Sequence, residues 1–182
     1  MQKKTLSITY CAILIAIAVV IKLFMNNLIF FPISYLGAAK IIAISLSPAV
    51  VMFAGILLGP AYGGIAGAIV DLICYIISPQ GSYFPGYTLS MALYGIIPAF
   101  LLHQRQKTQK TGFLRVLFAT GITQLVCSAF LNTLWLYILT QIPMEVIWFR
   151  WITACVSWPV YAVIIYLLLK YKTKYVNPAL TK

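Results

Sequence analysis

Six long apolar runs occupy nearly the whole chain, and they constrain its fold more than any other feature. A helix crosses the hydrocarbon core of a bilayer in about 20 residues. Spans are predicted at about residues 7–26, 38–58, 61–77, 88–103, 113–139 and 147–170. Of the 182 residues, 63% are hydrophobic and only 8% are charged, too few for the surface of a soluble domain. The sequence therefore predicts an all-α integral membrane protein with six transmembrane helices, forming a single domain over residues 1–182.

Basic residues lie at one end of the predicted spans. The chain has 13 Lys and Arg against two acidic residues, a formal net charge of +11. The basic clusters comprise Lys3, Lys4, Arg105, Lys107, Lys110, Arg115, Lys170, Lys172, Lys174 and Lys182. Because Lys and Arg mark cytoplasmic loops, both termini are predicted to be cytoplasmic, in a bacterial-type cell membrane. The charge then indicates contact with anionic lipid headgroups rather than with nucleic acid.

Prolines and one glycine mark where the predicted spans turn, bend or end. Gly59 and Pro60 predict a tight turn, with Pro60 at the first position of the next helix. Near Pro48 the second span is predicted to be bent or loosened, and near Pro98 the fourth is predicted to be interrupted. The small-residue pattern at residues 16–18 lies inside the first apolar run, so that run is predicted to be retained rather than cleaved as a signal peptide.

Asp71 is predicted to lie near the middle of the bilayer, roughly 16 Å beyond Pro60 along the third span. An ionised carboxylate at that depth is costly and needs a partner. Two interpretations are open. Asp71 forms an internal ion pair with Lys22, Lys40 or Arg150, or it anchors a ligand at the floor of a cavity.

Other polar residues near the outer ends of the spans also have two interpretations. Lys40 and Arg150 could extend to the interface, although the planar guanidinium of Arg150 also suits a carboxylate. Asn132 and Trp135 are three residues apart and share a helix face, which would contact a neighbouring helix or a ligand. His103 has no nearby Cys, Asp or Glu and is predicted to be a solvated interfacial residue rather than a metal ligand.

The sequence lacks the motifs of common enzyme classes. It contains no phosphate-binding loop, nucleophile elbow, zinc pattern or close pair of carboxylates. Its four cysteines have no paired spacing and are interpreted as buried apolar residues. We expect neither catalysis nor a cofactor, and any uphill transport would need energy from a partner or an ion gradient.

Small residues four apart predict two close helix contacts. Ala12 and Ala16 in the first span would allow a partner helix to approach, whereas Gly63 and Gly67 would serve packing inside this protein.

Several of these segments together resemble the S components, the substrate-binding subunits, of energy-coupling factor (ECF) vitamin transporters. The resemblance rests on the basic N-terminus, AILIA at 12–16, LSPAVVMFAGILLGPAYGGIAGAIVDLI at 46–73 and SYFPGYTLSMALYGIIPAFLL at 82–102. FLNTLWL and FRWITACVSWPVY support it more loosely. Within that family the chain is most similar to the folate-specific S component.

The resemblance implies a fold, a substrate and partners. S components have six helices and an outward-facing pocket capped by the loops after the first, third and fifth. They assemble with a transmembrane coupling protein and two ABC-type ATPases, and the motif matching Ala12 and Ala16 forms part of that docking surface. Folate or a reduced folate is the implied substrate. The alternatives are an S component for thiamine, riboflavin or a pyridoxine-like compound, and a structural membrane protein without a ligand.

The implied binding site draws on the polar and aromatic residues already described and on the segment before the fourth span. Its members are Lys40, Asp71, Tyr83, Phe84, Pro85, Thr88, Ser90, Asn132, Trp135 and Arg150. The carboxylate and the amide would bind the polar edge of a pterin, and the aromatic rings would stack on it. Pro85 would set a rigid turn, the hydroxyls would hydrogen-bond the ligand, and the basic residues near the mouth would bind its glutamate carboxylates.

Overall fold

The protein is helical throughout the residues that its structure describes. This computed structural model describes residues 2–28, 45–79, 83–106, 112–140 and 144–175, without the side chains of 2–4, 25–28, 104–106, 140, 144–150 and 172–175. The helices are α1 (Gln2–Leu28), α2 (Ser47–Leu58), α3 (Pro60–Ile77), α4 (Pro85–Gln106), α5 (Phe113–Gln124), α6 (Asn132–Thr140) and α7 (Met144–Tyr175). A π-helical segment, Leu125–Leu131, joins α5 to α6 without a break. The predicted all-α class is confirmed for these ranges, which contain no strand.

Five helical stretches are long and apolar enough to cross a membrane. They are Thr5–Phe24, Pro60–Ile77, Pro85–His103, Phe113–Leu139 and Trp151–Tyr171. The apolar helix α2 has 12 residues, fewer than a full crossing requires. Residues 38–44, which would begin the predicted second span, lie outside the described ranges. The chain is therefore a multi-pass membrane protein with at least five helices of spanning length.

One prediction about proline was wrong. Pro98 does not interrupt the fourth span, because α4 continues through it as one helix from Pro85. Membrane helices tolerate proline where neighbouring elements pack closely around it, and Pro98 is fully buried. Pro48 lies in the first turn of α2, which begins at Ser47, and no backbone donor is needed there. The bend or loosening near Pro48 stays a prediction, because residues 38–44 of that span lie outside the described ranges.

The turn between α2 and α3 has the geometry that Gly59 and Pro60 predict. Gly59 adopts a φ of 111°, a value that side chains with a Cβ rarely adopt, and its N–H donates to Gly55 O at 2.8 Å. His103, from the end of α4, lies 2.8 Å from Ile56 O through Nδ1. His103 is half-buried and its ring contacts the end of α2, while its position at the membrane interface stays a prediction.

Glycines bring the backbones of α2, α3 and α4 into direct contact. A Cβ added to Gly95 of α4 would lie 2.1 Å from Gly63 O, and one added to Gly55 would lie 2.0 Å from Gly95 O. One turn further along α3, a Cβ on Gly67 would lie 2.1 Å from Met91 O. These distances leave no room for any side chain. The predicted packing role of Gly63 and Gly67 is therefore confirmed.

We expect Gly95→Ala to lower stability strongly, because the new methyl group would force two backbones apart. The predicted loss of unfolding free energy is about 3 kcal/mol. It should appear as a large fall in the melting temperature of the purified protein in detergent. Gly112→Ala is the matched control, since nothing lies within 4 Å of a Cβ at that position. Equal melting temperatures for the two variants would contradict the close-contact account.

Candidate functional site

The contact between α3 and α4 ends in a polar pair. The two helices are antiparallel, and Gly63 meets Gly95 while Gly67 meets Met91. The next turn along brings Asp71 to Thr88, whose hydroxyl donates to Asp71 Oδ2 at 2.9 Å. The close approach of the glycines thus places a carboxylate and a hydroxyl in direct hydrogen-bonding contact between α3 and α4.

Asp71 also forms an ion pair with Lys22 of α1. Lys22 Nζ donates to Asp71 Oδ1 at 2.9 Å, and the two side chains are 21% and 14% exposed. The ion pair with Lys22 was one of the two interpretations of Asp71, and it forms in the structure. It leaves the ligand-binding role of Asp71 a prediction.

Tyr83 extends this network to the segment before α4. Its hydroxyl lies 3.2 Å from Thr88 Oγ1. Because the single hydroxyl proton of Thr88 is directed to Asp71, Tyr83 is the donor in this second bond. The ring of Tyr83 packs on that of Tyr75, with centroids 5.1 Å apart. We call Lys22, Asp71, Thr88 and Tyr83 the carboxylate cluster.

A second group, the ring cluster, consists of Phe84, Trp135 and Ser90. The rings of Phe84 and Trp135 lie 5.4 Å apart at 55°, and Trp135 Nε1 donates to Ser90 Oγ at 3.1 Å. Gly86 makes this arrangement possible, because a Cβ there would lie 2.4 Å from the Phe84 ring and 2.7 Å from that of Trp135. The ring cluster therefore joins the start of α4 to α6.

Helix α4 separates the two clusters. Thr88 and Ser90 are two residues apart, which places their side chains about 200° apart around the helix axis. Thr88 accordingly contacts Asp71 of α3, whereas Ser90 contacts Trp135 of α6. The residues predicted to form one site thus fall into two groups on different sides of α4, and both hydroxyls already have a protein partner.

The remaining predicted site residues are placed less completely. Lys40 lies outside the described residues, and Arg150 lies in α7 with its side chain outside the description. Pro85 is the first residue of α4, so it begins a helix rather than occupying the tip of a turn. Asn132 is the first residue of α6, and its N–H donates to Cys127 O. Their contacts with a ligand stay predictions.

The two alanines of the predicted docking surface are exposed on α1. Ala12 and Ala16 face away from the rest of the protein, whereas Cys11 and Ala18 of the same helix are buried. This orientation leaves the alanines accessible to another helix.

Sequence reasoning missed one buried polar pair. Tyr94 OH donates to Gln124 Oε1 at 3.0 Å, and the two residues are 3% and 5% exposed. Two signals were available. Gln124 is an amide within an apolar run, and Tyr94 follows Ser90 by four residues, which places both on one face of α4. No cluster of His, Cys, Asp or Glu that could hold a metal ion occurs among the described residues.

Comparisons with known proteins agree on one family. A family model described as "ECF transporter, substrate-specific component" matches residues 6–169. The folate transporter FolT of Clostridium novyi (strain NT) is 34% identical over 117 residues, which make up 64% of this chain and 66% of that protein. A crystal structure of FolT bound with folic acid matches with a TM-score of 0.70 at 25% identity, covering 90% of this chain and 93% of that one.

The ion pair itself yields a prediction about stability. Lys22→Met should lower the unfolding free energy by about 3 kcal/mol, because it leaves a largely buried carboxylate without its cation. The double variant Lys22→Met/Asp71→Leu removes both charges and should be considerably more stable than the single variant. Melting temperatures in detergent would measure both effects. A double variant less stable than Lys22→Met would indicate that the Asp71 carboxylate stabilises the fold independently of Lys22.

Proposed function

The chain belongs to the family of substrate-specific components of ECF transporters, and we propose that it is a folate-specific component. It would bind folate or a reduced folate from outside the cell and deliver the vitamin inward. The observation that carries this proposal is the likeness to FolT bound with folic acid, which extends over nine tenths of the chain. The 34% identity to a folate transporter supports the same substrate.

The proposed topology has six transmembrane helices in one domain, with both termini in the cytoplasm of the cell. The short helix α2 would complete a sixth crossing together with the residues before it. The basic clusters at the N-terminus, between α4 and α5 and after α7 support this orientation, because Lys and Arg are retained on the cytoplasmic side. Location in the cell membrane follows from uptake of an external vitamin.

The proposed partners are a transmembrane coupling protein and two ABC-type ATPases. They would supply energy from ATP, because this chain has no sequence motif for ATP hydrolysis. Ala12 and Ala16 would form part of the docking surface on α1. Their exposure supports this role, because small residues on an accessible helix face allow close approach of a second helix.

The ring cluster is the proposed stacking surface for the flat rings of folate. Phe84 and Trp135 offer two large aromatic faces, and the bond from Trp135 to Ser90 fixes the indole in place. Stacking of a heterocycle on such faces is favourable and depends little on its substituents. Pro85 positions Phe84 at the start of α4, and Asn132 would contribute its amide from the start of α6. Arg150 and Lys40 would bind the glutamate carboxylates near the mouth.

Asp71 is the proposed acceptor for the donor edge of the pterin. Each carboxylate oxygen has about two lone pairs, and Lys22 and Thr88 each occupy one. The carboxylate therefore retains acceptor capacity for adjacent N–H groups. Tyr83, hydrogen-bonded to Thr88, would lie between the outer segment and this acceptor, and its ring would cover the ligand.

The first functional prediction concerns folate binding by the ring cluster. Purified wild-type protein should bind folic acid and should not bind riboflavin or thiamine. Trp135→Ala should lower the affinity for folic acid by about 10- to 100-fold, since stacking of a base on an aromatic side chain contributes about 1–3 kcal/mol. Phe130→Ala is the control, because Phe130 lies on the same span with its ring exposed. Calorimetric titration would measure both, and equal affinities in the two variants would remove Trp135 from the site.

A second prediction separates ligand binding by Asp71 from its ion pair. Asp71→Asn should lower the affinity for folic acid by about 30- to 150-fold, equivalent to about 2–3 kcal/mol for a charged hydrogen-bonding group. Lys22→Met retains the carboxylate and should weaken binding much less. If both variants lose the same affinity, Asp71 acts through the ion pair and does not contact folate.

A further inference from the structure

Gln124, the last residue of α5, is a buried amide whose nitrogen has no partner in the described residues. Its Oε1 accepts the hydrogen bond from Tyr94, and the residue is 5% exposed. The amide nitrogen carries two further hydrogens, and it donates no hydrogen bond to the part of the chain that the structure describes. The nitrogen is not fully enclosed, because it is not among the buried side-chain atoms that lack a partner, so acceptor atoms from outside the protein can reach it.

The position of Gln124 relates it to the ring cluster. Gly86, Ser90 and Tyr94 follow one another at intervals of four residues and form a stripe along α4. Gly86 contacts the Trp135 ring, Ser90 accepts a bond from Trp135, and Tyr94 donates to Gln124. Tyr94 lies one turn deeper than Ser90, roughly 6 Å along the axis. Tyr94 at one end of this stripe on α4 thus contacts the Gln124 amide of α5, and Gly86 at the other end contacts the ring cluster.

The π-helical segment brings a second amide to the same side. In an unbroken α-helix Asn132 would lie about 80° from Gln124 around the axis. The wider turns of Leu125–Leu131 absorb about one additional residue, which reduces this angle to about 20°. Gln124 and Asn132 therefore lie on nearly one face of the span, although eight residues separate them.

We infer that Gln124 is a substrate-binding and specificity-determining residue of this transporter component. Its amide NH₂ group donates to acceptor atoms on the heterocycle held by the ring cluster, namely the 4-oxo group of a pterin and the unprotonated ring nitrogen N5 beside it. Because the hydroxyl of Tyr94 donates to the Gln124 amide oxygen, Gln124 presents its NH₂ group, a donor, to the ligand. This inference rests on the proposed folate function, and it assigns recognition of the oxo group of the pterin to Gln124.

The test compares folic acid with aminopterin, which carries an amino group in place of the 4-oxo group. Dissociation constants for both ligands would be measured on the purified full chain in detergent. The wild-type protein should bind folic acid at least about 10-fold more tightly than aminopterin. With aminopterin the Gln124 NH₂ group would face the 4-amino group, and two hydrogen-bond donors would then oppose each other. Gln124→Leu should abolish most of this preference, and Gln124→Glu, which presents acceptors, should reverse it. Tyr94→Phe frees the amide to turn and should reduce the preference with little effect on ring stacking.

Thr123→Val is the matched control. Thr123 is the neighbouring residue, is equally buried, and donates its hydroxyl to Ala119 O of its own helix, so its loss should leave the ratio of the two affinities unchanged. A Gln124→Leu variant that keeps the wild-type ratio overturns the inference while leaving folate binding intact. Wild-type protein that binds neither ligand overturns the proposed function, and the role of Gln124 with it.

Discussion

The backbones of α3 and α4 touch directly, and this contact fixes where the polar groups between them lie. Glycines at 63, 67 and 95 let the two helices approach until carbonyl oxygens occupy the space of missing side chains. In a bilayer, lipid tails are as apolar as leucine, so such close packing replaces the hydrophobic effect as the source of helix association. The same approach sets the register that brings Thr88 within 2.9 Å of Asp71. A wider separation would leave that carboxylate with Lys22 as its remaining partner among the contacts described here.

Helix α4 organises the two halves of the candidate site because it presents different residues to its neighbours. Thr88 faces the carboxylate cluster, where Lys22 neutralises Asp71 and Tyr83 connects the network to the segment before α4. Ser90 and Tyr94 face α5 and α6, where they hold an indole and an amide. A charge pair with additional hydrogen bonds is tolerable at membrane depth, whereas a lone carboxylate is not. The polar groups on both sides of α4 therefore coexist with an otherwise apolar interior.

Residues along α1 and along the fifth span face different sides of the protein. On α1, Lys22 reaches inward to Asp71 while Ala12 and Ala16 face outward, so one rigid element connects the proposed substrate side with the proposed docking surface. On the fifth span, the π-helical segment changes the orientation of everything beyond it. Departures from regular helix often accompany functional sites, and this one lies between Gln124 and the residues Asn132 and Trp135.

The amino-acid sequence was enough to predict the helical membrane class, the Gly59–Pro60 turn, the packing role of Gly63 and Gly67, and the transporter family. These depend on local chemistry: runs of apolar residues, the conformations open to glycine and proline, and short motifs read in order. That Lys22 pairs with Asp71 followed only from the folded structure, because this contact depends on how distant helices pack. The folded structure also decided that Thr88 and Ser90 serve different clusters, that α4 continues through Pro98, and that Tyr94 meets Gln124. Residues that are close in sequence can contact partners on different sides of a helix, and the sequence does not show which neighbouring helix lies on each side. A π-helical segment also changes the direction in which the residues after it face.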